Sequence, residues 1–190
     1  AAATVPERLA GWPPKGRVQL GDGSLRSEVV VSAHRLVGMK GSFDEQSFIR
    51  HILYVNDLAR KDTFPAENWA SALARRLVAK GLVRTSPTKA RRGDLVLFGL
   101  KSGSRQVDQN RILFGVIDAV SGSRAHFVAP VGGTVRRGST ALVRGSGSKS
   151  DTALLCVNTK KKGKRGKGGT CRAGQVILGT VDIHALDQAW

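Results

Sequence analysis

The sequence is poor in acidic residues and in cysteine, and it has no long apolar run. Its 190 residues include 14 Asp and Glu against 31 Lys and Arg, so the formal net charge is +17. Such a balance attracts anionic partners and makes binding salt-dependent, so nucleic acid, anionic lipid and acidic cell-wall polymers are all candidates. Because no run of about 18 apolar residues occurs, the sequence predicts no membrane span.

The two cysteines, Cys156 and Cys171, flank a basic segment. An even count with short spacing predicts a disulfide and an oxidising compartment, with two unpaired buried thiols as the alternative. The chain opens with A-A-A-T-V and no Met. This fits a mature chain after removal of an export signal, although an expression remnant would look the same. We therefore expect an exported protein, in the periplasm, on the cell surface or outside the cell.

Patterns for metals and cofactors are missing. The 4 histidines are scattered, without an H-x-x-x-H pair, and no paired cysteine motif occurs. The spacing therefore predicts neither a metal site nor a cofactor.

The chain divides into an arm and a domain. Residues 1–23 contain Pro6, Pro13, Pro14 and several glycines, so we interpret them as an extended arm. Residues 24–190 are expected to form one domain with a basic loop at 156–171.

Helical patterns occupy the first half of this domain. A first helix is predicted over 27–39, ended by Gly41. A second begins in S-F-D-E-Q-S-F-I-R-H-I-L (42–53), where Ser42 as the N-cap and Glu45 three residues later form a capping box.

A third helix and a series of strands follow. The helix begins near Pro65 and ends at Gly81. Its apolar face consists of Trp69, Leu73, Leu77 and Val78. The period then changes, and about six strands are predicted at 93–99, 111–120, 125–129, 140–144, 153–157 and 175–181, with a hairpin turn at 121–124. Helices followed by strands predict an α+β fold with the helices packed on an antiparallel, barrel-like sheet.

Four stretches between about residues 27 and 145 carry a family resemblance. They are F-D-E-Q-S-F-I-R-H-I-L, A-R-R-G-D-L-V-L-F-G, I-L-F-G-V-I-D-A-V and H-F-V-A-P-V-G-G-T-V-R-R-G, with R-x-G-D-L-V-x-F at 91–98 the most specific. Together they resemble the NlpC-type and CHAP-type peptidases, papain-like cysteine hydrolases of bacterial cell walls. The resemblance implies a papain-like fold with a groove between the helices and the barrel.

The resemblance also implies where the catalytic groups would lie, and unsuitable residues occupy all three positions. The family pattern D-C-S-G-F-V places Glu45 at the nucleophile, H-V-G-I places Leu113 at the base, and F-V-H places Ala129 at the third polar group. A thiolate needs a neighbouring imidazole as its proton acceptor, and Leu113 has no proton to move. His126 lies nearby but points to the other face of a regular strand. We therefore expect a pseudoenzyme.

Two alternative interpretations are compatible with an active enzyme. A frame shifted by two residues, which resembles the CHAP-type Q-C-x-x, places Ser47 at the nucleophile but misplaces the apolar face. In the other, Glu45 acts as a general base with His51 or His34 nearby. An active protein would be a peptidoglycan amidase or endopeptidase.

The segment C-V-N-T-K-K-K-G-K-R-G-K-G-G-T-C is the most basic part of the chain. Its six clustered cations are Lys160, Lys161, Lys162, Lys164, Arg165 and Lys167. A disulfide across this loop would contribute about 3 kcal/mol by the chain-entropy model. The segment is either a solvated hairpin tip or an anion-binding finger. No aromatic residue interleaves the lysines, so base stacking is not expected.

Three functions follow from the sequence. The first is an exported, catalytically inactive NlpC/CHAP-like protein that binds a cell-envelope or other polyanionic polymer, or an envelope protein. The second is a cell-wall amidase or endopeptidase with a rearranged site. The third is a nucleic-acid-binding protein without sequence preference that uses the 156–171 loop.

Overall fold

A computed structural model of the chain describes residues 24–39, 43–58, 64, 66–84, 89–101, 107–122, 124–131, 133–141, 155–157, 170–172 and 175–189. The predicted arm at 1–23 lies outside them. The helices in this part of the chain are α1 (Leu25–His34), α2 (Glu45–Val55), α3 (Trp69–Ala79) and α4 (Ile183–Gln188), with a 3₁₀ turn over Ala66–Asn68 before α3. The strands are β1 (Val83–Arg84), β2 (Leu95–Lys101), β3 (Val107–Ser121), β4 (Arg124–Val131), β5 (Thr134–Ala141), β6 (Leu155–Val157), β7 (Thr170–Arg172) and β8 (Gln175–Val181).

The first helix ends earlier than predicted. Helix α1 stops at His34, and the chain then turns to Gly38, which has a φ of 86°. The Gly38 N–H donates to the Val135 carbonyl at 2.9 Å, so this turn ties the end of α1 to β5. The predicted terminator Gly41 lies outside the described residues.

The capping box of α2 uses different residues from those predicted. The N-cap is Asp44, whose carboxylate accepts from the Gln46 and Ser47 N–H groups. In return, the Ser47 hydroxyl accepts from the Asp44 N–H at 3.0 Å. The prediction of Ser42 and Glu45 was therefore wrong, because Asp44 and Ser47 have the same spacing and Glu45 is already the first helical residue.

The end of α3 confirms the predicted glycine cap. Gly81 has a φ of 69°, a left-handed conformation that glycine adopts with little steric strain because it has no Cβ. Its N–H donates to Val78 O, and the Leu82 N–H donates to Leu77 O, both at 3.0 Å, as in a Schellman motif. Val78 itself is 62% exposed, so its predicted place on the buried face was wrong.

The described strands form one antiparallel sheet in the order β1-β8-β2-β3-β4-β5-β6-β7. This confirms the predicted α+β class with an antiparallel sheet. The predicted hairpin at 121–124 is present, since Ser121 pairs with Arg124. The strand predicted at 140–144 instead begins at Thr134, and 142–144 lie outside the described residues. Strands β1 and β7 and helix α4 were not predicted.

Both faces of the sheet bury apolar side chains. Because neighbouring side chains alternate along a strand, Phe114 and Val116 of β3 join the helices in the first core cluster. Leu113 and Ile117 of the same strand belong to a second cluster on the opposite face, together with Phe127. In the described part of the chain, the helices therefore pack against one face of the sheet.

A buried carboxylate in the R-R-G-D turn joins three parts of the fold. Asp94 has a fully buried side chain and accepts from Arg26 Nη1 at 2.5 Å. It also accepts from the backbone N–H groups of Arg91 at 2.9 Å and Ile183 at 3.2 Å. The turn, α1 and α4 are thus held together by one side chain.

A second carboxylate extends this connection to β1. Asp182 binds Arg26 Nη2 at 3.2 Å and Arg84 Nη2 at 2.7 Å, and it caps α4. Burial by itself would raise the pKa of Asp182. The hydrogen bonds from the Ala185 N–H and from Arg84, together with the positive charge of Arg26, outweigh burial, so the pKa of Asp182 lies below its usual value.

Candidate functional site

The positions that the family resemblance assigns to catalysis are not gathered in an open site. Leu113 and Ala129 are 2% and 0% exposed and share the second core cluster. Glu45 begins α2, whose buried side chains belong to the first cluster on the other face of the sheet. Apolar packing accounts for Leu113 and Ala129 without any catalytic role.

Ser47, the nucleophile of the alternative frame, is engaged as a cap. Its hydroxyl donates to Asp44 Oδ1 at 2.8 Å and accepts from the Asp44 N–H at 3.0 Å. This arrangement fixes the start of α2 and directs the hydroxyl towards a carboxylate.

His51 is a core residue of α2. It is 5% exposed, and its ring meets the Phe43 ring edge-on with 5.3 Å between the centroids. Burial lowers the pKa of His51 to about 4, because the charged imidazolium loses its hydration there. His51 is therefore neutral at pH 7.

The lowered pKa of buried His51 predicts that the stability of the fold decreases at acidic pH. The folded-state pKa of about 4 lies below the unfolded value of 6.5, so the unfolded chain binds the proton more tightly. The free energy of unfolding should fall as the pH drops from 6.5 to about 4, by about 3 kcal/mol in total. Urea titrations of His51→Leu at several pH values should show a flatter profile in this window, whereas exposed His184→Gln should keep the wild-type slope. An unchanged profile in His51→Leu would contradict this assignment.

The described residues instead bring a histidine, a carboxylate and an arginine together at the end of α1. His34 Nε2 lies 2.9 Å from Asp118 Oδ1, and His34 Nδ1 lies 3.0 Å from an Arg137 guanidinium nitrogen. Asp118 is the extra residue of a β-bulge in β3, since Ile117 pairs with Phe127 and Ala119 with His126. Alternation along β3 from Phe114 and Val116, which face the helices, places Asp118 on the same face as the helix end.

Polar groups continue from this cluster along β4 and β5. Alternation from Val128 and Val135, which face the helices, puts His126, Arg124, Arg137 and Ser139 on that same face. Arg124, His126 and Arg137 are exposed, so the helices leave this part of the face uncovered. We refer to Arg124, His126, Arg137 and Ser139 as the basic shelf.

Both arginines of the basic shelf are held by neighbours. Arg124 donates to the Ser139 hydroxyl at 3.0 Å, and Arg137 donates to His34 Nδ1. Each interaction uses part of a guanidinium group that has five N–H donors in a planar fork. The remaining donors suit anionic oxygens, which arginine binds well.

The sheet attaches the basic loop beside this shelf. Strand β6 pairs with β5 through Gly138 with Val157, so Val157, which precedes the basic segment, lies beside the part of β5 that carries Arg137. It returns at Thr170, which is the register partner of Val157 in the β6–β7 pair. The six predicted anion-binding cations at 160–167 lie outside the described residues, but both ends of their segment start from this point.

The predicted disulfide is not supported. Cys156 and Cys171 are register partners in the β6–β7 pair, and the structure describes their backbone alone. The bond therefore stays a prediction.

Neither a metal site, nor a membrane-spanning helix, nor a related protein is found for the described part of the chain. Among the described residues, no group of His, Cys, Asp and Glu is arranged to hold a metal ion. None of the described helices has the length and apolarity to cross a membrane. Comparison with family models, curated proteins and solved structures finds no match to this chain.

Sequence reasoning missed Asp118 and Arg124, and it considered His126 only as a neighbour of the third catalytic position. No motif marks these residues as a group, because their shared location follows from strand register. The weak available signal is a charged residue inside the apolar run I-L-F-G-V-I-D-A-V.

Proposed function

We propose that the chain is an exported, catalytically inactive protein of NlpC/CHAP-like type that binds a polyanionic polymer of the cell envelope. The observation that carries the proposal is the pair of exposed, held arginines, Arg124 and Arg137, on the basic shelf where the basic loop is attached. Both guanidinium groups keep N–H donors that these contacts do not use, and such donors suit anionic oxygens.

The chemistry of the basic shelf fits repeated phosphate groups. Guanidinium groups bind phosphate oxygens through charge-assisted hydrogen bonds. The shelf contributes exposed arginines, the sequence at 160–167 contributes six further cations, and the net charge of +17 adds long-range attraction. The same phosphodiester chemistry occurs in envelope polymers and in nucleic acids. The absence of aromatic residues among the loop lysines favours recognition of backbone charge over bases.

The absence of catalysis in this proposal is supported by local geometry. The implied base and third polar positions are the buried apolar residues Leu113 and Ala129. The hydroxyl of Ser47 is paired with a carboxylate, not held by an imidazole base, in the capping box. Ser–His chemistry requires the imidazole to accept the hydroxyl proton.

The test compares Arg124→Ser/Arg137→Ser with the unmodified chain. Affinities for poly(glycerol phosphate), heparin and a duplex DNA should be measured by fluorescence anisotropy at several salt concentrations. The double variant should bind poly(glycerol phosphate) about tenfold more weakly, with a salt slope reduced by between one and two. Arg75→Ser/Lys89→Ser, which removes two exposed cations elsewhere, is the matched control and should lose less than about threefold.

The arms of this experiment separate the possible ligands. Tighter binding to poly(glycerol phosphate) than to DNA at equal phosphate concentration supports an envelope polymer. Preference for DNA would replace it with nucleic acid. Equal losses in the shelf and control variants would remove the basic shelf from the account. Release of new amino groups from peptidoglycan by the wild type, abolished in Ser47→Ala, would show that the protein is a hydrolase.

A further inference from the structure

We propose that His34 is a positioning residue that controls Arg137 according to its protonation state. Neutral His34 holds the Arg137 guanidinium at the edge of the basic shelf, and protonated His34 releases it to the anionic ligand. The affinity for a polyanion therefore rises as the pH falls. This inference rests on the proposed polyanion binding and adds its regulation.

The contacts of His34 define its neutral tautomer. A guanidinium only donates hydrogen bonds, so His34 Nδ1 must accept from Arg137 at 3.0 Å. The proton then lies on Nε2, which donates to Asp118 Oδ1 at 2.9 Å. Both ring nitrogens are engaged, and the imidazole connects a carboxylate on β3 to a cation on β5.

Protonation breaks one of these two contacts. A proton on Nδ1 places two donors, both on charged groups, 3.0 Å apart, which the short contact cannot accommodate. The contact with Asp118 is kept and becomes an ion pair. Arg137 is exposed, so its side chain can turn away towards solvent or ligand. The surface gains one positive charge and one free guanidinium.

The charged and titratable groups around His34 come from strands β3, β4 and β5 and from the end of α1. Asp118 reaches His34 from β3 and Arg137 from β5. Strand β4 contributes the exposed His126 and Arg124, and Arg35 follows His34 at the end of α1. His34 is 26% exposed, so water and protons reach it.

The test uses the full chain and inorganic polyphosphate as the probe. His34→Gln is the informative variant, because its amide can donate to Asp118 and accept from Arg137 without titrating. Between pH 8 and pH 5.5, the wild type should gain about tenfold in affinity, and His34→Gln about threefold or less. His184→Gln, at an exposed position on α4, should retain the wild-type gain.

A second measurement is independent of the ligand. The ¹⁵N chemical shifts of the His34 ring at pH 8 should identify the Nε2–H tautomer, and Asp118→Asn should perturb them. The Nδ1–H tautomer would overturn the proposal whatever the binding data show.

The outcomes separate this inference from the proposed function. A full wild-type gain in His34→Gln would overturn the role of His34 and leave polyanion binding intact. A tenfold gain that persists in Arg137→Ser would overturn the link to Arg137. Absence of polyphosphate binding by the wild type at every pH would overturn both proposals.

Discussion

Replacement of Asp94 by Ala is expected to lower the free energy of unfolding by about 3 to 5 kcal/mol, the largest loss of any single change considered for this protein. The Asp94 carboxylate is fully buried and binds the Arg26 guanidinium. It also satisfies the N–H groups of Arg91 and Ile183. Removing it leaves two backbone donors without their acceptor and takes one of its two carboxylate partners from Arg26, and unpaired buried groups are costly.

Urea unfolding monitored by circular dichroism measures this effect. Glu67→Ala removes an exposed carboxylate and should change the stability by no more than about 0.5 kcal/mol. A loss below about 1 kcal/mol in Asp94→Ala would mean that the turn is held mainly by its apolar surroundings. The same result would weaken the view that the R-x-G-D motif is structural in this chain.

The largest effect on binding is expected in the basic loop. Changing its six cations to serine should weaken polyanion binding by at least about 100-fold near 100 mM salt and reduce the salt slope by up to about five. The six residues are Lys160, Lys161, Lys162, Lys164, Arg165 and Lys167. Each neutralised phosphate releases a counterion, so the loss should grow as the salt concentration falls.

The control for the loop is a set of exposed cations away from the basic shelf. Arg75, Lys80, Lys89 and Arg92 are exposed, and their change to serine removes four charges from other surfaces. The loss of binding free energy should be divided by the number of charges removed, six in the loop variant and four in the control, before the two variants are compared. An equal loss per charge would show that net charge alone drives binding and that the attachment of the loop beside Arg137 has no role.

Much of the fold was accessible from local patterns. The helical period predicted α2 and α3, and Gly81 marked the end of α3 through its capping geometry. Five of the strands lie close to apolar runs. The failures have local causes as well. Two overlapping capping signals compete at the start of α2, and α4 has 6 residues, too few for a visible period.

The candidate site was less predictable than the fold. The basic loop is evident from composition, but the basic shelf depends on contacts between distant residues. His34 and Arg137 are 103 positions apart in the sequence. The turn at Gly38, with the backbone bonds of Gly38 and Met39 to Val135, brings the end of α1 to β5. Asp118 reaches His34 from β3, and the pairing of distant strands, which local patterns do not reveal, sets its place beside the end of α1.

The affinity of the unmodified chain for poly(glycerol phosphate) at 50 and 200 mM salt tests the central claim most directly. If the exposed arginines of the basic shelf and the lysine-rich loop bind repeated phosphates, the affinity should fall by about 100-fold or more across this range while the polymer is recovered intact. An affinity that does not change with salt, or the absence of measurable binding at 50 mM, would contradict it.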